Sequence, residues 1–316
     1  MTSLVFWHGW GMSPSVWDTL IGELRAVMPD DVRYDAMPLP GYGASALPDC
    51  DPVDGWADAM MASVSEPVVL CGWSMGAILA LQAAARHPDK VQRLVLFGAT
   101  PAFAARKDWL CGMPRDTGQA FRRGVQSDPK TTMRRFVSLF NRADRHGREI
   151  VRLLSQLEMP PVAVLDAGLD FLDNADFRAL VPSIRQKTLL IRGENDPLMP
   201  PDAVRWLEEN LPDATLTLLP DVAHAPFLSE PKQCATSMAA FMERACWKKN
   251  GFAKPSAGLP PPMTRWRCSS GGFASGCCAC CPNGCRTGFL RKISLTAVAE
   301  PVAARSVCAV SGRMPV

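Results

Sequence analysis

Pro67-Val68-Val69-Leu70-Cys71-Gly72-Trp73-Ser74-Met75-Gly76-Ala77 is the stretch on which the fold turns. Its opening run, Pro67–Cys71, is apolar and has the length of a buried strand. The strand is expected to break at Gly72. A helix is expected from Met75, with its helix-forming body at Ala77–Arg86. Strand, sharp turn and helix in immediate succession form one βα unit. Ser74 sits on the turn between Gly72 and Gly76. A serine projected from such a turn has a crowded, strained backbone, so small residues are needed on either side.

Further strands are expected on both sides of this unit. Ser3-Leu4-Val5-Phe6-Trp7 is a short apolar run that ends at His8-Gly9. Ser13-Pro14 then starts a helix into Val16–Val27, with proline at its first position. A loop rich in Pro and Gly follows at Pro38–Gly43. Val91–Phe97, Thr188–Ile191 and Thr215–Leu219 also read as strands. Strands alternating with helical stretches predict an α/β protein with a mostly parallel sheet flanked by helices. With the serine turn included, the expected class is the α/β-hydrolase fold. Between the third and fourth of these strands along the chain the strand signals vanish, and helical ones dominate, as in Thr132–Phe140 and Arg148–Leu157. The expected organisation is a core of residues 1–113 and 179–247, a helical lid at 114–178 and a tail at 248–316.

The tail differs in composition. It holds seven Pro, eight Gly and seven of the 12 Cys, with no periodicity, and is expected to be unstructured. The spacing of Cys277, Cys278, Cys280, Cys281 and Cys285 does not fit two paired Cys-x2-Cys knuckles, which argues against zinc. Residues 1–247 hold five scattered cysteines, as expected for reduced thiols in a cytoplasmic protein. The chain of 316 residues is 47% hydrophobic, which excludes wholesale disorder. No secretory signal pattern opens it, and no apolar run reaches the ~18–20 residues of a membrane span. A monomer without membrane or nucleic-acid partners is expected, with no metal and no organic cofactor.

A serine is a poor nucleophile unless a base removes its proton. The chain has four histidines. His8 ends the first strand, where it suits a turn. His87 precedes Pro88 at a helix end, and His146 lies in the basic insertion. His224, in Asp221-Val222-Ala223-His224-Ala225-Pro226-Phe227, follows the last strand and is the expected base. An acid must orient that imidazole. Asp196, in the loop Arg192–Pro197, is preferred over Glu194 and Asp202. The order Ser, Asp, His is the one expected of α/β-hydrolases. Two backbone N–H groups are expected to hold the oxyanion: that of Met75 beside the nucleophile, and that of Trp10 in His8-Gly9-Trp10-Gly11.

The net charge of +3 hides a contrast. Arg106–Glu158 holds twelve bases and six acids, and the rest of residues 1–247 carries twelve more acids than bases. Arg145, Arg148 and Arg152 are spaced to share a helix face, Lys130, Arg134 and Arg135 form a second cluster, and Arg142 lies between. These charges read either as a solvated face or as a docking surface for an acidic partner. Phe136, Leu139 and Phe140 either line an acyl pocket or pack inside the lid.

Taken together, His8–Gly11, Gly72–Ala77, the loop ending in Asp196 and Ala223–Phe227 resemble the pimeloyl-acyl-carrier-protein methyl ester esterases of biotin synthesis. The resemblance runs from about Ser3 to Phe241 and includes Met159-Pro160 and Leu165–Leu172. It implies hydrolysis of a methyl ester on a pimeloyl chain borne by acyl carrier protein. It further implies substrate contacts from Trp10, Ser74, Met75, Phe136, Val137, Ser138, Leu139, Phe140 and His224. Contacts to the carrier would come from Arg135, Arg148 and neighbouring bases. Two departures stand out. The chain starts almost on its first strand, so an edge strand of the family is expected to be missing. Pro38 stands where the superfamily often has Asp. The rival readings are a general short-chain carboxylesterase or other serine hydrolase on the same fold, and a catalytically silent binding protein. A dehalogenase or epoxide hydrolase would be expected to carry Asp at position 74.

Overall fold

The computed structural model describes residues 2–246. The segment 248–316, with its expected lack of structure and its cysteines, lies outside them. Six strands occur among the described residues: β1 (Ser3–Trp7), β2 (Arg33–Met37), β3 (Val68–Trp73), β4 (Val91–Phe97), β5 (Lys187–Gly193) and β6 (Ala214–Leu219). All pair in parallel, in the order β2-β1-β3-β4-β5-β6. The chain therefore steps from β1 outward to β2, returns to β3, and then proceeds in the other direction. Loops leaving the carboxyl ends of β1 and β3 diverge at this reversal and open a crevice, the usual ligand position in such sheets.

The expected strands are present with small shifts. The strand through Leu70 does not break at Gly72 but runs to Trp73, because Gly72 and Trp73 pair with Leu96 and Phe97 of β4. β2 was not expected. Its sequence Arg-Tyr-Asp-Ala-Met has no apolar run, since it lies at the sheet edge and two of its five residues are exposed. All six residues of β3 are buried, as central parallel strands require.

Helix α1 (Asp18–Val27) follows a 3-10 turn at Pro14–Trp17, α2 (Pro52–Ala62) follows β2, and α3 (Met75–Arg86) follows β3. Helix α3 buries every residue from Met75 to Ala84. Small residues let it sit close against the sheet. A Cβ on Gly72 would lie 2.5 Å from the Gly76 carbonyl oxygen, and one on Gly76 would strike the carbonyls of Trp7 and His8. Here only glycine permits the backbone contact that joins β1, β3 and α3.

Four helices stand between β4 and β5: α4 (Arg115–Ser127), α5 (Pro129–Phe140), α6 (Gly147–Leu154) and α7 (Val162–Asn174). The Asp128 carboxylate caps α5 by accepting the Thr131 N–H, and Pro129 occupies its first turn. Helix α6 ends three residues before the expected Leu157. Arg122 of α4 forms ion pairs with Asp166, Asp170 and Asp173 of α7, tying the two helices together. The fold closes with α8 (Pro201–Asn210), the short α9 (Pro226–Ser229) and α10 (Pro231–Cys246). Among the described residues no helix is long and apolar enough to cross a membrane.

Candidate active site

Ser74 stands between β3 and α3 with φ 56° and ψ −117°. A non-glycine residue rarely adopts this conformation, and it persists only where its surroundings hold it. The Ser74 N–H donates to the Phe97 carbonyl at 3.0 Å, and the Ser74 carbonyl accepts the N–H groups of Ala77 and Ile78. The turn is thus fixed on both sides while its side chain faces a cavity. Met75 follows as the first residue of α3, whose leading N–H groups have no acceptor within the helix.

Asp196 and His224 meet beside it, carried by the loops after β5 and β6. Asp196 Oδ2 lies 2.8 Å from His224 Nδ1, and both side chains are buried. Asp196 Oδ1 accepts the N–H groups of Leu198 and Met199 at 2.9 and 3.0 Å. The carboxylate is therefore locked, and Nδ1 is the protonated nitrogen facing it. The other ring nitrogen, Nε2, has no hydrogen-bond partner among the described residues. The Ser74–His224 hydrogen bond is not formed in this structure; in free hydrolases such bonds are often long and tighten around substrate. The Trp73 indole donates to the His224 carbonyl at 2.8 Å. Gly98, at φ +51°, gives room for the ring, since a Cβ there would lie 3.0 Å from His224 Cε1 and Nδ1.

The competitors are placed elsewhere. Glu194 is exposed, and Asp202 pairs with Arg205 on α8. His8 is fully buried, donates from Nδ1 to the Gly9 carbonyl and accepts the Leu39 N–H on Nε2. Burial lowers its pKa to about 4, so it is neutral with both nitrogens occupied. His87 binds Asp58, and His146 is half exposed near Glu230.

Trp10 follows β1 and is buried, and its indole donates to the Leu165 carbonyl of α7 at 2.8 Å. The next N–H, of Gly11, donates to the Tyr42 hydroxyl at 2.8 Å. Side chain and loop are thus anchored on separate elements. Ser74 and Trp10 line a cavity of about 180 Å³ with Phe121, Phe136, Leu139, Leu169 and Leu172, walled mostly by apolar side chains.

Of the five expected contacts on α5, Phe136 and Leu139 reach this cavity and three do not. Val137 is on the opposite side of the helix and lines a second cavity with Gly11 and Met12. Ser138 is exposed and donates to the Arg134 carbonyl, one turn back. Phe140 is fully buried edge-on against Trp73 and His224, so it supports the imidazole rather than the pocket wall. Helical geometry dictates this split, because five consecutive residues cannot share a face.

Lys130, Arg134, Arg135, Arg142, Arg148 and Arg152 are exposed. Arg145 departs from expectation in two ways. It precedes α6, so it shares no helix face with Arg148 and Arg152, and its guanidinium is engaged by Asp221 and Glu230. It serves as an internal tie. Other residues around the site gave no signal in the sequence. Phe121 lines the cavity from a helix rich in polar residues. Arg192 is 3% exposed and directs its guanidinium to the carbonyls of Met199, Glu194 and Asp196, bracing the Asp196 loop. Among the described residues no group of three or more His, Cys, Asp or Glu is arranged to hold a metal ion.

Known proteins share this architecture. The model of the alpha/beta hydrolase family matches residues 4–237. The pimeloyl-[acyl-carrier protein] methyl ester esterase of Aromatoleum aromaticum is 40% identical over 242 residues, spanning 73% of this chain and 94% of the relative. The protein of the same name from Nitrosospira multiformis is 36% identical over 249 residues, spanning 75% and 93%. A solved esterase from Exiguobacterium antarcticum superposes with a TM-score of 0.69 at 22% identity, over 77% of this chain and 92% of that one, a likeness that bears on fold alone. With one relative matched at 40% identity along nearly its whole length, the chain belongs to the pimeloyl-[acyl-carrier protein] methyl ester esterases of the α/β-hydrolase family.

Proposed function

We propose that this chain hydrolyses the methyl ester of a pimeloyl chain carried on acyl carrier protein, releasing methanol and the free carboxylate in biotin synthesis. One observation carries the reading: a locked Asp196–His224 pair with a free Nε2 is tied through the His224 carbonyl to Trp73, the residue before Ser74, and Ser74 lines an apolar cavity. The family's curated members bear the corresponding name.

Ser74 is the nucleophile and His224 the base. Nε2 takes the Ser74 hydroxyl proton as Oγ attacks the ester carbonyl. The N–H groups of Met75 and Trp10 stabilise the resulting oxyanion. The tetrahedral intermediate collapses, the C–O bond to methoxide breaks, and methoxide leaves with the Nε2 proton as methanol. Water then repeats the attack on the acyl-serine, giving its proton to Nε2, which returns it to Ser74 Oγ as the acid departs. Asp196 keeps Nδ1 protonated and the ring oriented throughout. Phe121, Phe136, Leu139 and Leu172 take up the methylene chain. The exposed bases Lys130, Arg134, Arg135, Arg142, Arg148 and Arg152 face the acidic carrier. The working protein is a cytoplasmic monomer and needs no cofactor.

Methanol release from methyl-pimeloyl carrier tests this directly. Ser74→Ala is expected to lower kcat by roughly 10⁴-fold or more. The double variant R148E/R152E is expected to raise KM for the carrier-borne ester by about tenfold while sparing a small soluble ester. Full activity in Ser74→Ala ends the mechanism. Equal efficiency on both esters in every variant points instead to a small-molecule esterase.

A further inference from the structure

The turn between α5 and α6, residues 141–146, belongs to the lid, yet its polar groups bond to the two loops that carry Asp196 and His224. The Asp144 carboxylate is central. Its Oδ2 accepts the N–H of Ala223, the residue before His224, at 2.7 Å. Its Oδ1 accepts the Ser229 hydroxyl, on the far side of His224, at 2.8 Å, and the His146 N–H at 2.8 Å. The Arg145 N–H donates to the Asp221 carbonyl at 2.9 Å. On the other loop, the Asn195 side-chain amide donates to the Ala143 carbonyl at 2.9 Å.

The His224 loop needs such support. Asp221, at its start, has φ 57°, a strained conformation for a residue other than glycine. Ala223 is fully buried, and its N–H would be costly to leave unpaired. A carboxylate acceptor gives that N–H a short, strong hydrogen bond. The His224 N–H reaches the Phe140 carbonyl only at 3.4 Å, so Asp144 makes the tighter link from lid to base.

The geometry points to Asp144 as a positioning residue for His224: a lid-borne carboxylate that fixes the His224 loop against the Asp196 loop, so that the imidazole is aimed at Ser74 only when turn 141–146 is seated. This rests on the hydrolase reading above. Asp144 touches no substrate and acts through His224 alone. A misplacement of about 1 Å in a catalytic group costs on the order of 10²-fold in rate.

The test uses the full chain, with three readouts: inactivation of Ser74 by a fluorophosphonate, turnover of a p-nitrophenyl ester, and turnover of methyl-pimeloyl carrier. Asp144→Ala is expected to lower kcat on both esters by roughly 10- to 100-fold, with each KM held within about threefold, and to slow inactivation by a similar factor. Asp144→Asn keeps an acceptor for the Ala223 N–H and is expected to recover most of the lost kcat. Should Asp144→Ala fail to fold, Asn195→Ala probes the same clamp from the acid loop, with an expected kcat loss of about three- to tenfold at unchanged KM. The proposal is overturned if the soluble variant keeps kcat within about twofold, or if only KM for the carrier ester rises, which would make the turn a docking element. Absence of Ser74 labelling in the unaltered protein would overturn the hydrolase reading, and this proposal with it.

Discussion

His8 and His224 show how one residue type is assigned opposite tasks by its neighbours. His224 keeps a free Nε2, whereas both nitrogens of His8 are occupied and its pKa is lowered to about 4 by burial. The consequence for stability has a definite sign. The folded value lies below the ordinary 6.5 of the unfolded chain, so between the two the unfolded chain binds the proton first. The stabilisation from a neutral His8 is present above pH 6.5 and is lost as pH falls towards 4, amounting to about 3 kcal/mol. Urea unfolding across that window should show stability falling with acid, and falling less in a His8→Gln variant. Identical slopes in the two proteins would contradict this account.

At the scale of elements, Arg122 is the tie between α4 and α7. In Arg122→Met the carboxylates of Asp166, Asp170 and Asp173 lose the cation between them. These groups are 35–54% exposed on the aspartate side, so solvent screens the effect, and a loss of only about 1 kcal/mol is expected. The sharper readout is local. Amides of Arg115–Ser127 should exchange faster with solvent while those of β3 stay protected, and unchanged exchange in α4 would refute the role given to Arg122. The same elements show what the sequence disclosed. Buried strands announced themselves, because β3 and β4 are apolar runs and the loops after β5 and β6 begin where those runs stop. Edge strand β2 did not, since Arg-Tyr-Asp-Ala-Met holds no apolar run, whereas β6 at the other edge keeps Leu216, Leu218 and Leu219 and was legible. Ser74, Asp196 and His224 were legible because each follows a strand that was itself legible. The face of α5 was not, because the side of a helix that meets a cavity depends on its packing partners. Asp144 was hidden among the lid's charges, since its partners lie 79 and 85 residues away along the chain.

For the molecule as a whole, the charge contrast between the basic segment Arg106–Glu158 and the acidic remainder of residues 1–247 governs encounter more than stability. Exposed charges are screened within about 10 Å at 0.1 M salt and about 3 Å at 1 M. Raising salt from about 0.05 to 0.5 M should therefore lower kcat/KM for the carrier-borne ester by roughly tenfold, and leave a neutral small ester nearly unaffected. A parallel decline for both substrates would place the effect elsewhere. The four helices between β4 and β5 look, from connectivity, like a cassette joined to the rest at two points. The hydrogen bonds of Asp144, Arg145 and Ala143 to the loops after β5 and β6 contradict that picture. A chimera that exchanged the whole segment for a relative's, in order to change acyl preference, would sever those bonds at a third, non-covalent junction. Lid and triad loops have to be transplanted, and would have to diversify over evolutionary time, as one module.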